Sequence, residues 1–180
     1  MSYWGEMWSL ICALLWASAV ILFRIAVRGI PAVEMSLFKN AFALILFALT
    51  LLIIPEFEES RSLPLKHVLW LMLSGCIGIA IGDTLFMYSL NILGAGRNAI
   101  ISCLFSPFVM ILSLLFLNES FSFFQGVGFI LILCGILLAV YQKSTDTLSA
   151  RDKIIGTLVG MVSILCMATG MVTTKPLLND

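Results

Sequence analysis

Apolar residues fall in runs of about 20 along this chain, divided by short polar breaks. The pattern predicts six membrane-spanning helices, at residues 8–27, 34–54, 68–90, 97–117, 122–141 and 154–174. Each run has the length a helix needs to cross hydrocarbon at about 1.5 Å per residue. A transmembrane barrel would alternate polar and apolar residues over some ten positions, and these runs do not. The expected fold class is therefore all-α: a polytopic helical bundle in lipid. The polar breaks fit it. Residues 55–67 carry Pro55, three glutamates, Arg61, Pro64 and Lys66, and residues 142–153 run from Gln142-Lys143 to Arg151-Asp152-Lys153. Shorter links at Arg28–Pro31, Asn91–Gly96 and Asn118–Ser120 make neighbouring helices antiparallel hairpins.

Composition narrows the functional classes. Hydrophobic residues make up 61% and charged residues 11%, too few polar groups to coat a soluble core of six buried helices. The breaks leave no room for an aqueous catalytic module. Glu6 stands where a cleaved leader would carry a cation, so the first run is expected to stay in the membrane. Ten cations balance ten anions with no basic arm, which argues against a nucleic-acid partner. Cys12, Cys76, Cys103, Cys134 and Cys166 all fall inside predicted spans. They lack CxxC spacing and have only His67 to join them, so they read as buried small hydrophobes, with no metal or cofactor implied. Phosphate loops, a nucleophile elbow and a zinc protease signature are absent. With a single histidine and no paired nucleophile and base, an intramembrane enzyme is a poor reading.

The chemistry resides in a few charges inside apolar runs. Because consecutive spans reverse, Arg24, Lys39, Asp83 and Arg97 approach one side of the bundle from four helices. Asp83 is the most expensive, seven residues before the end of its span. A carboxylate there costs a few kcal/mol unless it faces the bundle, pairs with a cation or takes a proton. Lys39 and Arg97 are the candidate partners. A structural ion pair, a solute or proton site, and a residue wetted at the interface are all open for Asp83; Arg24, Lys39 and Arg97 could instead snorkel to headgroups. A net positive cluster lining a cavity would suit an anionic or zwitterionic solute, and would equally suit lipid phosphate.

Small residues and one proline add places for close approach and movement. Gly78-Ile-Ala-Ile-Gly82 lets another backbone come near, and Gly126, Gly128 and Gly135, or Gly156 and Gly160, offer similar surfaces. Pro107 removes the amide that would bond to the Cys103 carbonyl, which predicts a kink beside Ser102 and Ser106. The last run echoes the first: Trp16-Ala17 precedes Arg24 by eight residues, and Met167-Ala168 precedes Lys175 by eight.

In order along the chain, Trp16, Arg24, Lys39-x-Ala41, Gly82-Asp83, Tyr88-Ser89, Gly94-Ala95, Ala99, Ser106-Pro107, Glu119, Gln125, Gly128 and Gly135 resemble the drug/metabolite transporter superfamily, specifically its ten-span EamA-type branch. The resemblance covers nearly all of residues 8–141. It implies a transporter of small metabolites, built from two five-span repeats of opposite topology and working by alternating access. Residues 1–141 would then be the first repeat, 142–153 a connecting loop, and 154–180 the start of the second. The implied location is a bacterial cytoplasmic (inner) membrane, with membrane lipid, a solute, and either the second repeat or a homodimer as partners. Site candidates are Asp83, Lys39, Arg97, Arg24 and Ser106, with Pro107, Gly78 and Gly82 as kink and gates. Proton coupling through Asp83, uniport and exchange all remain open. A scaffold or assembly subunit whose charges only fix packing is the competing class.

Two features depart from that pattern. Lysine at position 39 replaces the usual arginine and lacks its planar fork. Glu119, beside Asn118 and Ser120, reads as a cap for the next helix. The charge bias also opposes the family orientation. Arg24, Arg28, Lys39, Arg97, Lys143, Arg151 and Lys153 share one face, against Arg61, Lys66 and Lys175 on the other, which would put the N-terminus outside where the family has it inside.

Overall fold

The structure is a computed structural model that describes residues 3–53, 64–117, 122–141 and 148–178, so Glu119, Arg61 and Lys143 lie outside the described residues. The chain is a helical bundle. Helices α1 (Trp4–Ala26) and α2 (Ala32–Ile53) form the first hairpin. The third span is α3 (Leu65–Gly75), a π-helical segment (Cys76–Ile81) and α4 (Gly82–Leu93). The fourth is α5 (Ala95–Ser102) and α6 (Phe105–Leu117); then come α7 (Phe123–Tyr141), α8 (Ala150–Thr174) and a 3₁₀ turn at Lys175–Leu178. All six expected spans are present, with ends shifted by four residues at most. Among the described residues, five stretches are long and apolar enough to cross a bilayer, and α7 adds a shorter apolar stretch, Phe123–Gly135.

Local chemistry sets the helix ends. Ser149 caps α8 by accepting from the Asp152 amide at 3.1 Å, and Asp152 places a negative charge on the first turn. Gln125 Oε1 accepts from the Ser122 amide at 2.8 Å and opens α7 as half of a capping box. Gly94 has φ 83° and ψ 168°, a conformation open essentially to glycine, which lets a single residue join α4 to α5. The expected break in span 4 lies one turn ahead of Pro107. Residues 103 and 104 form a turn whose amides reach back three residues, at 3.2 and 2.9 Å, because proline has no hydrogen for the Cys103 carbonyl.

Helix α8 is the centre of the molecule, touching α3, the π segment, α4, α5 and α6, whereas α1, α2 and α7 are peripheral. Its antiparallel seam with span 3 is made of glycines and serines. Ser74 donates to the Gly170 carbonyl at 2.6 Å, Ser163 to the Gly82 carbonyl at 2.7 Å, and Ser89 Oγ lies 2.9 Å from the Gly156 carbonyl. A Cβ built on Gly170 would fall 2.9 Å from the Gly78 Cα, and one on Gly160 2.7 Å from Ser89 Oγ. Lipid offers helices no hydrophobic drive to associate, so close backbones and hydroxyl-to-carbonyl bonds hold this pair. Ser89 Oγ is also 2.8 Å from Asn98 Oδ1. A hydroxyl has one hydrogen, so its bond to Gly156 is best served with the Asn98 amide turned to donate into it. Ser163→Ala should lower thermal stability in detergent by about 0.6 kcal/mol and by no more than roughly 1.7, the range found for such membrane bonds.

Two expectations are corrected. The cysteines are free, but Cys12, Cys76, Cys103 and Cys134 face outward and Cys166 is half-buried. A thiol facing hydrocarbon needs no burial within the protein, so apolar character did not fix its direction. Gly126, Gly128 and Gly135 have nothing within 4 Å of an added Cβ; the tight glycine surfaces are those of span 3 and α8.

Candidate functional site

The π segment leads directly into Gly82-Asp83. Its wider turns follow a run of glycines and β-branched residues, Gly75-Cys-Ile-Gly-Ile-Ala-Ile-Gly82, where the usual helical ladder is weakly supported. Asp83 is 3% exposed and accepts from Lys39 Nζ, reaching across from α2. The ammonium also stands 5.7 Å from the centre of the Phe23 ring. One turn away the same two helices share a hydroxyl contact, Thr84 Oγ1 to Ser36 Oγ at 3.1 Å, and Asn40 Nδ2 donates to Ser36 Oγ at 3.4 Å. The result is a polar seam through an apolar bundle.

Beside this seam lies a cavity of about 630 Å³, bounded by Trp16 of α1, Lys39 of α2, Ser74 to Phe86 of span 3, Ser102 and Phe105 of span 4, and Ile164 to Thr174 of α8. Trp16 and Phe86 meet at 6.2 Å between ring centres and a 45° tilt. The walls are therefore apolar and aromatic, with the Lys39–Asp83 pair as their charged group. Toward the Gly94 end the bundle is filled: Val27, Met35, Met87, Leu90 and Leu93 are buried there. Volume and lining suit a small organic molecule held by a few polar anchors.

The other sequence candidates are distributed elsewhere. Arg24 donates to the Asn91 carbonyl at 2.6 Å and to Asn91 Oδ1 at 3.4 Å, so its charge meets the carbonyl end of α4. Asp83 lies some eight residues, about 12 Å, from that point. Arg97 is half-buried at the start of α5 and lines neither cavity. Ser106 and Pro107 line a second cavity of about 530 Å³ between α6, α7 and α8. Gly78 lines the first cavity and abuts Gly170, whereas Gly82 packs on Ser163 and Met167. Sequence reasoning missed Phe86, Ser74 and Thr174 as cavity residues; serines recurring in apolar spans were the available signal. No cluster of metal-ligating side chains occurs among the described residues.

No curated protein and no solved structure matches the chain. The model of the EamA-like transporter family matches residues 3–141, which include five of the six helical spans. The chain is thus a multi-pass integral membrane protein with a role in transport rather than catalysis, and it belongs to the EamA-like transporter family.

Proposed function

We propose that the chain is the first repeat and opening helix of a secondary transporter that carries a small metabolite or drug-like solute by alternating access, with the cavity beside Asp83 as its binding site. The supporting observation is the Lys39–Asp83 pair on the wall of an otherwise apolar and aromatic cavity. Desolvating two charges inside a membrane is costly, and a packed apolar pair would hold the helices as well. The cost is understandable where a solute must exchange partners with the pair. Glycine faces around Gly78 and Gly82 then serve as gates, and Arg24 as a tie between α1 and span 3. Bacterial cytoplasmic membrane is the proposed setting. Firm locking of Lys39 to Asp83 also suits a scaffold subunit; the adjoining cavity favours transport.

Two repeats, over 1–141 and 154–180 with 142–153 as connector, are supported by the seam. Aligning Trp16-Ala17 with Met167-Ala168 sets Gly5, Ser9, Cys12, Ala17 and Ala19 of α1 against Gly156, Gly160, Ser163, Ala168 and Gly170 of α8. Of the α8 members, Gly156, Gly160, Ser163 and Gly170 form the seam with span 3. On α1, Gly5, Ser9 and Cys12 are exposed, a small-residue face suited to the third span of a second repeat or of a second copy.

Gly75 provides the test, because it lines the cavity with nothing within 4 Å of an added Cβ. Gly75→Leu should leave membrane insertion and thermal stability unchanged yet cut flux of the carried solute at least about tenfold by filling the site. Undiminished flux in that variant would move the binding site elsewhere.

A further inference from the structure

The cavity beside Asp83 carries no net charge. Among the described residues, Lys39 and Asp83 are the charged groups on its wall. Arg24 is held at the Asn91 carbonyl, about 12 Å along α4 from Asp83, and Arg97 lines neither cavity. The four charges that the sequence directs toward one side of the bundle therefore reduce to one cation and one anion at the site. Lys39 is the more open of the two, its side chain 23% exposed against 5% for Asp83. An ammonium has three hydrogens, and Asp83 accepts one of them. The hydroxyls on the wall offer the opposite chemistry. Ser74 donates to the Gly170 carbonyl at 2.6 Å, Ser102 to the Asn98 carbonyl and Thr174 to the Met171 carbonyl, both at 2.8 Å, so each has only an accepting oxygen left. Trp16, Phe86 and Phe105 supply the aromatic part of the wall.

Charge decides what such a site accepts. A monoanion that takes Lys39 leaves Asp83 without its counter-ion between apolar walls, and a monocation that takes Asp83 strands Lys39 in the same way. A neutral molecule has nothing with which to open the pair. A zwitterion exchanges one ion pair for two, its carboxylate on Lys39 and its ammonium on Asp83, and leaves no charge unmatched. The accepting hydroxyl oxygens suit the N–H hydrogens of the same solute. We infer that the carried solute is a small zwitterion with an ammonium, a carboxylate and an aromatic body, its ring resting among Trp16, Phe86 and Phe105. This inference rests on the cavity beside Asp83 being the solute site. Its content is the pairing of the two charges, which removes the anionic solute that a net positive cluster would have favoured.

The test measures binding of three probes to the purified chain in detergent at neutral pH: L-phenylalanine, phenethylamine and 3-phenylpropionate, which are the zwitterion, cation and anion of one ring and chain. Wild type should bind phenylalanine at least about tenfold more tightly than either of the others, the lower value of one bond to a charged group. Asp83→Asn should erase that preference and leave 3-phenylpropionate bound at least as tightly as phenylalanine, a reversal that mere loss of structure would not produce. Gly75→Leu, which fills the cavity, should abolish binding of all three probes. Tighter binding of the anion or the cation by wild type, an unchanged order in Asp83→Asn, or no binding of any probe at millimolar concentration would each overturn the zwitterion. Binding that survives intact in Gly75→Leu would instead overturn the cavity as the site, and the zwitterion's pairing with it.

Discussion

Gly170→Val is expected to destabilise the bundle by about 2–4 kcal/mol, the largest stability loss of any single change at the helix seam. Even a methyl group on Gly170 would meet the Gly78 Cα at 2.9 Å and the Ser74 carbonyl oxygen at 3.1 Å. Those neighbours are backbone, so no rotamer change can relieve the clash, and overpacking of this kind costs about 1–3 kcal/mol. Forcing α8 away from α3 also breaks the bond from Ser74 to the Gly170 carbonyl, adding roughly 0.6–1.7 kcal/mol. Gly135→Val is the matched control, because an added Cβ there meets nothing within 4 Å, and it should stay within about 0.5 kcal/mol of wild type. Thermal unfolding followed by intrinsic tryptophan fluorescence in a single detergent would separate the two. Equal stability of both variants would mean that α8 is not the central strut.

Much of the fold was legible because lipid simplifies the code. Uniform apolarity over about 20 residues forces a helix, since backbone groups in hydrocarbon must bond internally. Hence the six spans and the break before Pro107 could be read directly. What faces what could not be read, because in a membrane an apolar side chain is content either inward or outward. Cys12 and Cys134 show this by pointing out, and Gly126 and Gly128 by meeting nothing. The partner of Asp83 was narrowed to two cations, and geometry selected Lys39, since Arg97 sits beyond the Gly94 turn. The π segment escaped because its glycines also read as ordinary helix-packing residues; it runs directly into Gly82-Asp83. The role of α8 in the core of the bundle was hidden for a different reason. The echo of α1 made it look like the start of something separate, whereas the serine and glycine contacts show it to be the element that closes the cavity.

Under the proposed function, Asp83→Asn should carry the largest functional effect. It leaves the Lys39 ammonium on the cavity wall with a neutral amide in place of its counter-ion. A hydrogen bond to a charged group is worth about 1.5–3 kcal/mol, so losing it at the step where solute and side chain exchange partners slows flux roughly ten- to a hundredfold. A scaffold role predicts a different split, with lowered stability and no activity to lose. Lys39→Gln/Asp83→Asn, which removes both charges, should recover stability relative to Asp83→Asn while remaining inactive, because a neutral pair relieves the unpaired ammonium without restoring the anchor.

The most direct measurement loads membrane vesicles containing the full-length protein with a panel of radiolabelled metabolites, and compares efflux for wild type, Asp83→Asn and empty vesicles at matched protein levels. Wild type should move at least one solute faster than empty vesicles, and Asp83→Asn should lose that flux while remaining inserted. Wild-type flux in Asp83→Asn would rule out the cavity beside Asp83 as the transport site.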